Sequence, residues 1–252
     1  MWRPMRWAQG WGYGLASSRN VMQRRVNVLS VEFVRHLPYT IASSLIAMVA
    51  IWYFGMTQSQ QRIGNDWTSE VQWSFHVLHP LHVFLSAITT TAVIWHFDRR
   101  LLKTLIIGLG SVVPCALSDY IVPFVGGRLL GQMMELHICL IEHPTLILPF
   151  LLLGILSGLL FEERVSGHSV FSHGVHVFIS SSAALLYLVS FGFTGWMTDI
   201  QLVFPVLLVV VIAVWIPCCI SDIVIPLSAI HQGKRHEPST VHRPRTRATR
   251  FG

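Results

Sequence analysis

Charge is scarce in this chain. Only 12% of its 252 residues are Asp, Glu, Lys or Arg, against about 25% in a soluble domain. Most of the chain therefore does not face water. The formal excess of +6 sits largely in the two tails, where it reads as the positive-inside signal of a membrane protein rather than as a nucleic-acid contact. Cysteines number four, and they make no disulfide framework. Cys218 and Cys219 are adjacent near the end of an apolar run on the reducing side, whereas Cys115 and Cys139 could both face outward and pair. Nucleotide and nucleophile signatures are missing: there is no G-x-x-x-x-G-K-[ST], no dinucleotide fingerprint and no G-x-S-x-G, so ATP hydrolysis is not expected of this chain itself. Residues 1–20 lack the apolar core of a secretory signal peptide.

Apolar sequence is plentiful instead. Hydrophobic residues make up 52% of the chain and the mean hydropathy is +0.56. Six runs are long enough to cross about 30 Å of hydrocarbon as helices, which takes roughly 20 residues each: 37–56, 76–97, 101–125, 143–161, 170–193 and 200–230. The stretch 126–142 carries Arg128, Glu135, His137 and Glu142 and reads as an interfacial or re-entrant connector. Lys and Arg cluster in the N-terminal tail, in the loop of Arg99, Arg100 and Lys103, and in the C-terminal tail. An even number of spans puts all three clusters on one side, so both termini are expected in the cytoplasm of a multi-pass protein of the cell membrane.

The chain also repeats itself, and a repeat governs the fold it belongs to. His79-Pro-Leu-His82-Val-Phe-Leu-Ser86 returns as His173-Gly-Val-His176-Val-Phe-Ile-Ser180, and Val113-Pro-Cys-Ala-Leu-Ser-Asp119 returns as Ile216-Pro-Cys-Cys-Ile-Ser-Asp222. A fainter match relates Arg35-His-Leu-Pro38 to Glu142-His-Pro144. The expected fold is thus an all-α integral membrane protein of six transmembrane helices, arranged as a 3+3 internal repeat. Residues 1–30 and 231–252 are basic tails, 31–125 and 143–230 the two three-helix halves, and 126–142 the connector. Three spans per half is an odd number, so the second half enters from the opposite side and the repeat is inverted, a plan common among secondary transporters.

The repeated residues are polar ones inside apolar helices, and such residues are functional by default. His76, His79 and His82 share one helix face, as do His173 and His176; Cys115 with Asp119, and Cys218 with Asp222, are each four apart and one turn above one another. Imidazole, thiolate and carboxylate are the ligands of borderline divalent metals such as zinc. His76, His79, His82, Cys115, Asp119, His173, His176, Cys218 and Asp222 are therefore the candidate metal ligands. Asp119, Asp222, His137, His143 and Glu142 are candidates for carrying the cation or protons. Under the inverted plan two similar clusters are expected, one toward each face, with His79, His82, Cys115 and Asp119 in the first and His173, His176, Cys218 and Asp222 in the second. His-x-x-His alone is a weak signal, and a membrane histidine more often bonds a neighbouring helix. Ser, Thr and the Gly154-Ile-Leu-Ser-Gly158 pair read first as packing residues.

Three functions fit. The first is a transporter of a divalent transition-metal cation, with the bilayer and a small cation as its partners. A homo-oligomer or a separate ATP-hydrolysing partner is compatible with it, and no nucleic acid is expected. The second is an intramembrane zinc-dependent hydrolase, which needs one complete site with an open position. The third is a haem-binding membrane electron carrier with axial histidines.

Overall fold

The computed structural model describes residues 18–61, 68–161 and 170–221; Asp222, and the side chain of His173, lie outside the described residues. Every regular element among them is helical. We number them α1 (Ser18–Gln61), α2 (Thr68–Phe97), α3 (Leu101–Leu129), α4 (Cys139–Glu142), α5 (Pro144–Leu160), α6 (Val170–Ser190) and α7 (Ile200–Cys219). Four segments are long and apolar enough to cross a membrane: His36–Thr57, Ser69–His96, Leu101–Leu129 and Ile200–Cys219. This is the profile of a membrane protein. Of the six expected runs, the fourth gives a shorter apolar helix, Pro144–Leu160, and the fifth gives α6, of which Gly174–Ser190 is apolar. The 17 residues of α5 reach about 26 Å at 1.5 Å per residue, a little short of the hydrocarbon thickness.

Residues 126–129 continue α3, 132–138 have no regular structure, and α4 is a single turn, so the connector contains no helix long enough to span. It is folded back on the bundle: Glu135 N donates to the Phe191 carbonyl at 3.2 Å, and His137 N donates to the Tyr187 hydroxyl, which donates in turn to the Glu135 carbonyl, both at 3.2 Å. Gly192 permits this approach. Its φ is +115°, and a Cβ there would lie 2.7 Å from the Met133 carbonyl oxygen.

Side-chain pairings fix the directions of the helices. Trp215 Nε1 donates to the Phe33 carbonyl and Trp52 Nε1 to that of Met197, which sets α1 antiparallel to α7. On α3, Gly108 faces Thr91 of α2 while Asp119 faces His79 and His82, so α3 returns antiparallel to α2. Gly154 and Gly158 of α5 lie against Phe84 and Ile88 of α2, and those two helices run parallel. The buried residues of α5 (Ile147, Leu151, Gly154, Ile155, Gly158) form a stripe facing α2, and Leu148, Leu152, Leu156 and Leu160 form an exposed one. A helix apolar all round, with one face open, is what a lipid environment requires.

α3 is not a regular helix. A widened, π-type turn spans Leu117–Ile121 and carries the buried Ser118, Asp119 and Tyr120. π-turns inside α-helices occur frequently at functional sites. Ile220 and Ser221 adopt the same widened form at the end of α7.

Candidate metal centre

Asp119 is the only Asp or Glu among the buried polar side chains of the described residues, at 0% exposure. An isolated carboxylate there would be very costly, so it must be met by donors. Four side chains meet it. His79 Nδ1 is 2.8 Å from Oδ2, and His82 Nδ1 lies 2.8 and 2.9 Å from the two oxygens. The Ser118 hydroxyl donates to Oδ1 at 2.7 Å and the Ser180 hydroxyl at 3.1 Å. The π-turn is what aims Asp119 at α2 and α6 together, while the three-residue spacing of His79 and His82 puts both imidazoles within its reach.

Because the carboxylate accepts from Nδ1 of His82, that ring carries its proton on Nδ1 and presents a bare Nε2 away from Asp119. Nε2 is turned toward Cys218 Sγ, 4.0 Å away. The His176 ring lies 4.9 Å from that of His82. One ligand atom each from His82, His176 and Cys218 lie within 4.8 Å of one another, and all three residues are buried. They come from α2, α6 and α7. Ser86 and Ser221, joined at 3.0 Å, with Pro114 and Cys115 complete the lining, and the space is too narrow to admit a water molecule.

The chemistry of such a group is that of a metal ligand set. Two imidazoles and a thiolate suit a borderline or soft cation. A histidine ligand usually donates its other N–H to a carboxylate, which fixes the tautomer and raises ligand basicity; Asp119 stands in that relation to His82. The buried His and Cys side chains can thus hold a metal ion. No protein-family model matches the chain, and no curated protein or solved structure is detectably similar to it. The site is therefore read from its own geometry.

That geometry differs from the expected pair of clusters. His176 and Cys218, assigned by the sequence to an inner group, sit with His82 and Asp119, assigned to an outer one. The reason is depth: His82 is close to the middle of its span Ser69–His96, where His176 of α6 and Cys218 of α7 reach it. Asp119 is oriented toward histidine nitrogens, not among the grouped ligand atoms. His79 shares Asp119 and is stacked on Phe75 at 5.6 Å. Cys115 and Cys139 form no disulfide; both are buried thiols, and burial pushes that of Cys139 up to about 12. His76, His137, His143 and Glu142 gather elsewhere, at the connector end of the bundle. Ser180 is the residue that sequence reasoning undervalued. It reads as packing, yet it links Cys218 (3.9 Å) to Asp119. The available signal was its recurrence as Ser86 in the other copy.

Proposed function

We propose that this chain is a multi-pass membrane transporter of a divalent transition-metal cation, bound at His82, His176 and Cys218 with Asp119 orienting His82. The observation that carries the reading is the convergence of three buried ligand atoms from three different helices within 4.8 Å. Three protein ligands leave one position of a tetrahedral shell open, which favours exchange over the closed four-ligand shell of a structural zinc site. The narrowness of the space favours a bare ion over a haem, a lipid or a peptide, and so disfavours the electron-carrier and hydrolase readings. The test is metal analysis of the purified protein paired with uptake of zinc and other divalent metals into liposomes. Bound zinc and zinc flux are expected, with flux at background in His82→Ala and Cys218→Ser. Bound metal without flux would favour the hydrolase, and neither metal nor flux would reject both.

The architecture that goes with this function is six crossings in two inverted halves, α1–α3 and α5–α7. It is supported by the alternating helix directions and by contacts that recur between the halves. Ser44 on α1 meets Ser181 on α6 at 3.1 Å, as α5 meets α2. Ser180 bonds into the α3 motif, as Ser86 bonds into the α7 motif. The widened turns at Leu117–Ile121 and Ile220–Ser221 fall at the same place in the two motifs. The Lys and Arg distribution supports cytoplasmic termini. An engineered cysteine at Asn65 should react with an impermeant thiol reagent in intact cells, and one at Lys234 should not; the reverse labelling would overturn the orientation.

A further inference from the structure

A second group of imidazoles lies where the connector crosses the start of α2. His76 Nδ1 is 2.8 Å from the Gln72 carbonyl oxygen, an acceptor only, so this nitrogen carries the proton. His137 Nδ1 is 2.7 Å from Glu142 Oε2. The Ile138 N–H donates to Glu142 Oε1 at 3.1 Å. The Glu142 carboxylate thus accepts at both oxygens, and His137 Nδ1 donates. Both rings are thus left with bare Nε2 atoms, and these two atoms face each other at 3.1 Å. Two lone pairs at hydrogen-bond distance repel unless something electron-poor lies between them.

The third imidazole shows what that is. The His143 ring is 4.8 Å from that of His76 and 5.4 Å from that of His137, and one nitrogen from each of the three lies within 4.8 Å of the others. Zinc–nitrogen bonds of about 2.0–2.1 Å in a tetrahedral shell put ligand nitrogens about 3.3 Å apart, close to the separation already present between His76 and His137. Pro144 restricts the backbone of His143, which holds this ligand at the mouth of the group, where its side chain is exposed.

We propose that His76, His137 and His143 form a second metal site, for a borderline divalent cation such as Zn2+, with Glu142 as the carboxylate that fixes the His137 tautomer. It is separate from the centre at His82. His76 and His82 are six residues apart on α2, roughly 9 Å along the axis, and the two groups share no ligand. One ligand is exposed and the fourth position is open, so the site captures cations at the connector end of the bundle and releases them.

The experiment uses the full chain purified in detergent, with Zn2+ as the probe. In the doubly substituted His82→Ala/Cys218→Ser protein, which lacks the central ligands, titration calorimetry should still find one zinc per chain. Adding His143→Ala or His137→Gln should reduce this to none at micromolar zinc, and Glu142→Gln should weaken it about 10–100-fold. If the doubly substituted protein does not fold, the unsubstituted chain should lose one zinc per chain on His143→Ala, a change at an exposed side chain. Absence of zinc in the doubly substituted, folded protein would overturn the proposal, as would zinc binding indifferent to His143→Ala. Failure of the central site leaves this zinc in place, so the two readings fail separately.

Discussion

Asp119→Asn is expected to remove zinc from the central site and bring flux to background while the protein still reaches the membrane. The substitution changes almost no volume. It replaces an acceptor-only carboxylate by an amide with one oxygen and an NH2 donor. Four donors now converge on Asp119: His79, His82, Ser118 and Ser180. The amide oxygen cannot satisfy all of them, and its NH2 must be met by an acceptor. The nearest ring nitrogens are Nδ1 of His79 and Nδ1 of His82, both 2.8 Å from Oδ2, and either accepts only if its ring proton moves to Nε2. At His82 that proton then sits where the metal bond should form, facing Cys218. Loss of a supporting carboxylate alone costs about 10–100-fold in metal affinity; the inverted tautomer adds to this, so a loss of about 100-fold or more is expected. Zinc titration and liposome uptake measure it. Normal zinc affinity and flux in the Asn variant would show that Asp119 is a packing residue. Asp119→Ala is a harsher change, because each buried donor left without a partner costs about 1–3 kcal/mol, and it tests stability rather than metal chemistry.

The second large effect is expected at Gly154 and Gly158. A Cβ on Gly154 would lie 2.6 Å from the Phe84 carbonyl oxygen, and one on Gly158 would lie 2.7 Å from that of Ile88. Both obstacles are helix backbone, which cannot turn aside as a side-chain tip can. Each Gly→Ala change must therefore push α5 away from α2, at about 1–3 kcal/mol, the range for overpacked cores. Gly→Val at either position should exceed it. Since α2 carries His76, His79 and His82, displacement of α5 also unsettles both imidazole groups. Thermal unfolding in detergent should show a lower midpoint for each alanine variant, and the Gly154→Val/Gly158→Val protein should fail to accumulate as a monodisperse species. Unchanged stability in the double valine variant would mean that α2 and α5 do not pack through these glycines.

These two cases mark what can be read from a sequence of this kind. Gly154-x-x-x-Gly158 is legible as a close-packing signature because small residues four apart leave a flat helix face, but nothing in it names α2 as the partner. The His-x-x-His and Cys-x-x-x-Asp spacings likewise determine which side chains share a face. They do not determine which faces meet, because helix periodicity acts within one element and carries no information about its neighbour.

By itself the sequence determined the membrane class, through the scarcity of charge and the length of the apolar runs. It determined the helical character and the identity of the polar residues worth following, since burying His and Asp in an apolar helix is costly. It also singled out Ser86 and Ser180 by repetition, without revealing their bonding. Tertiary structure decided the rest. The turn at Leu117–Ile121 is wider than an α-turn and rotates Asp119 relative to any face drawn at regular helical spacing. Crossing of α2 with α6 brought the His82 and His176 rings to 4.9 Å, although the sequence assigned these residues to different clusters. Folding of the connector onto α2 placed His137 and His143 against His76, residues 61 positions apart in the case of His76 and His137. Such long-range pairings depend on how apolar faces fill space together, and that is a property of the assembled bundle rather than of any one segment.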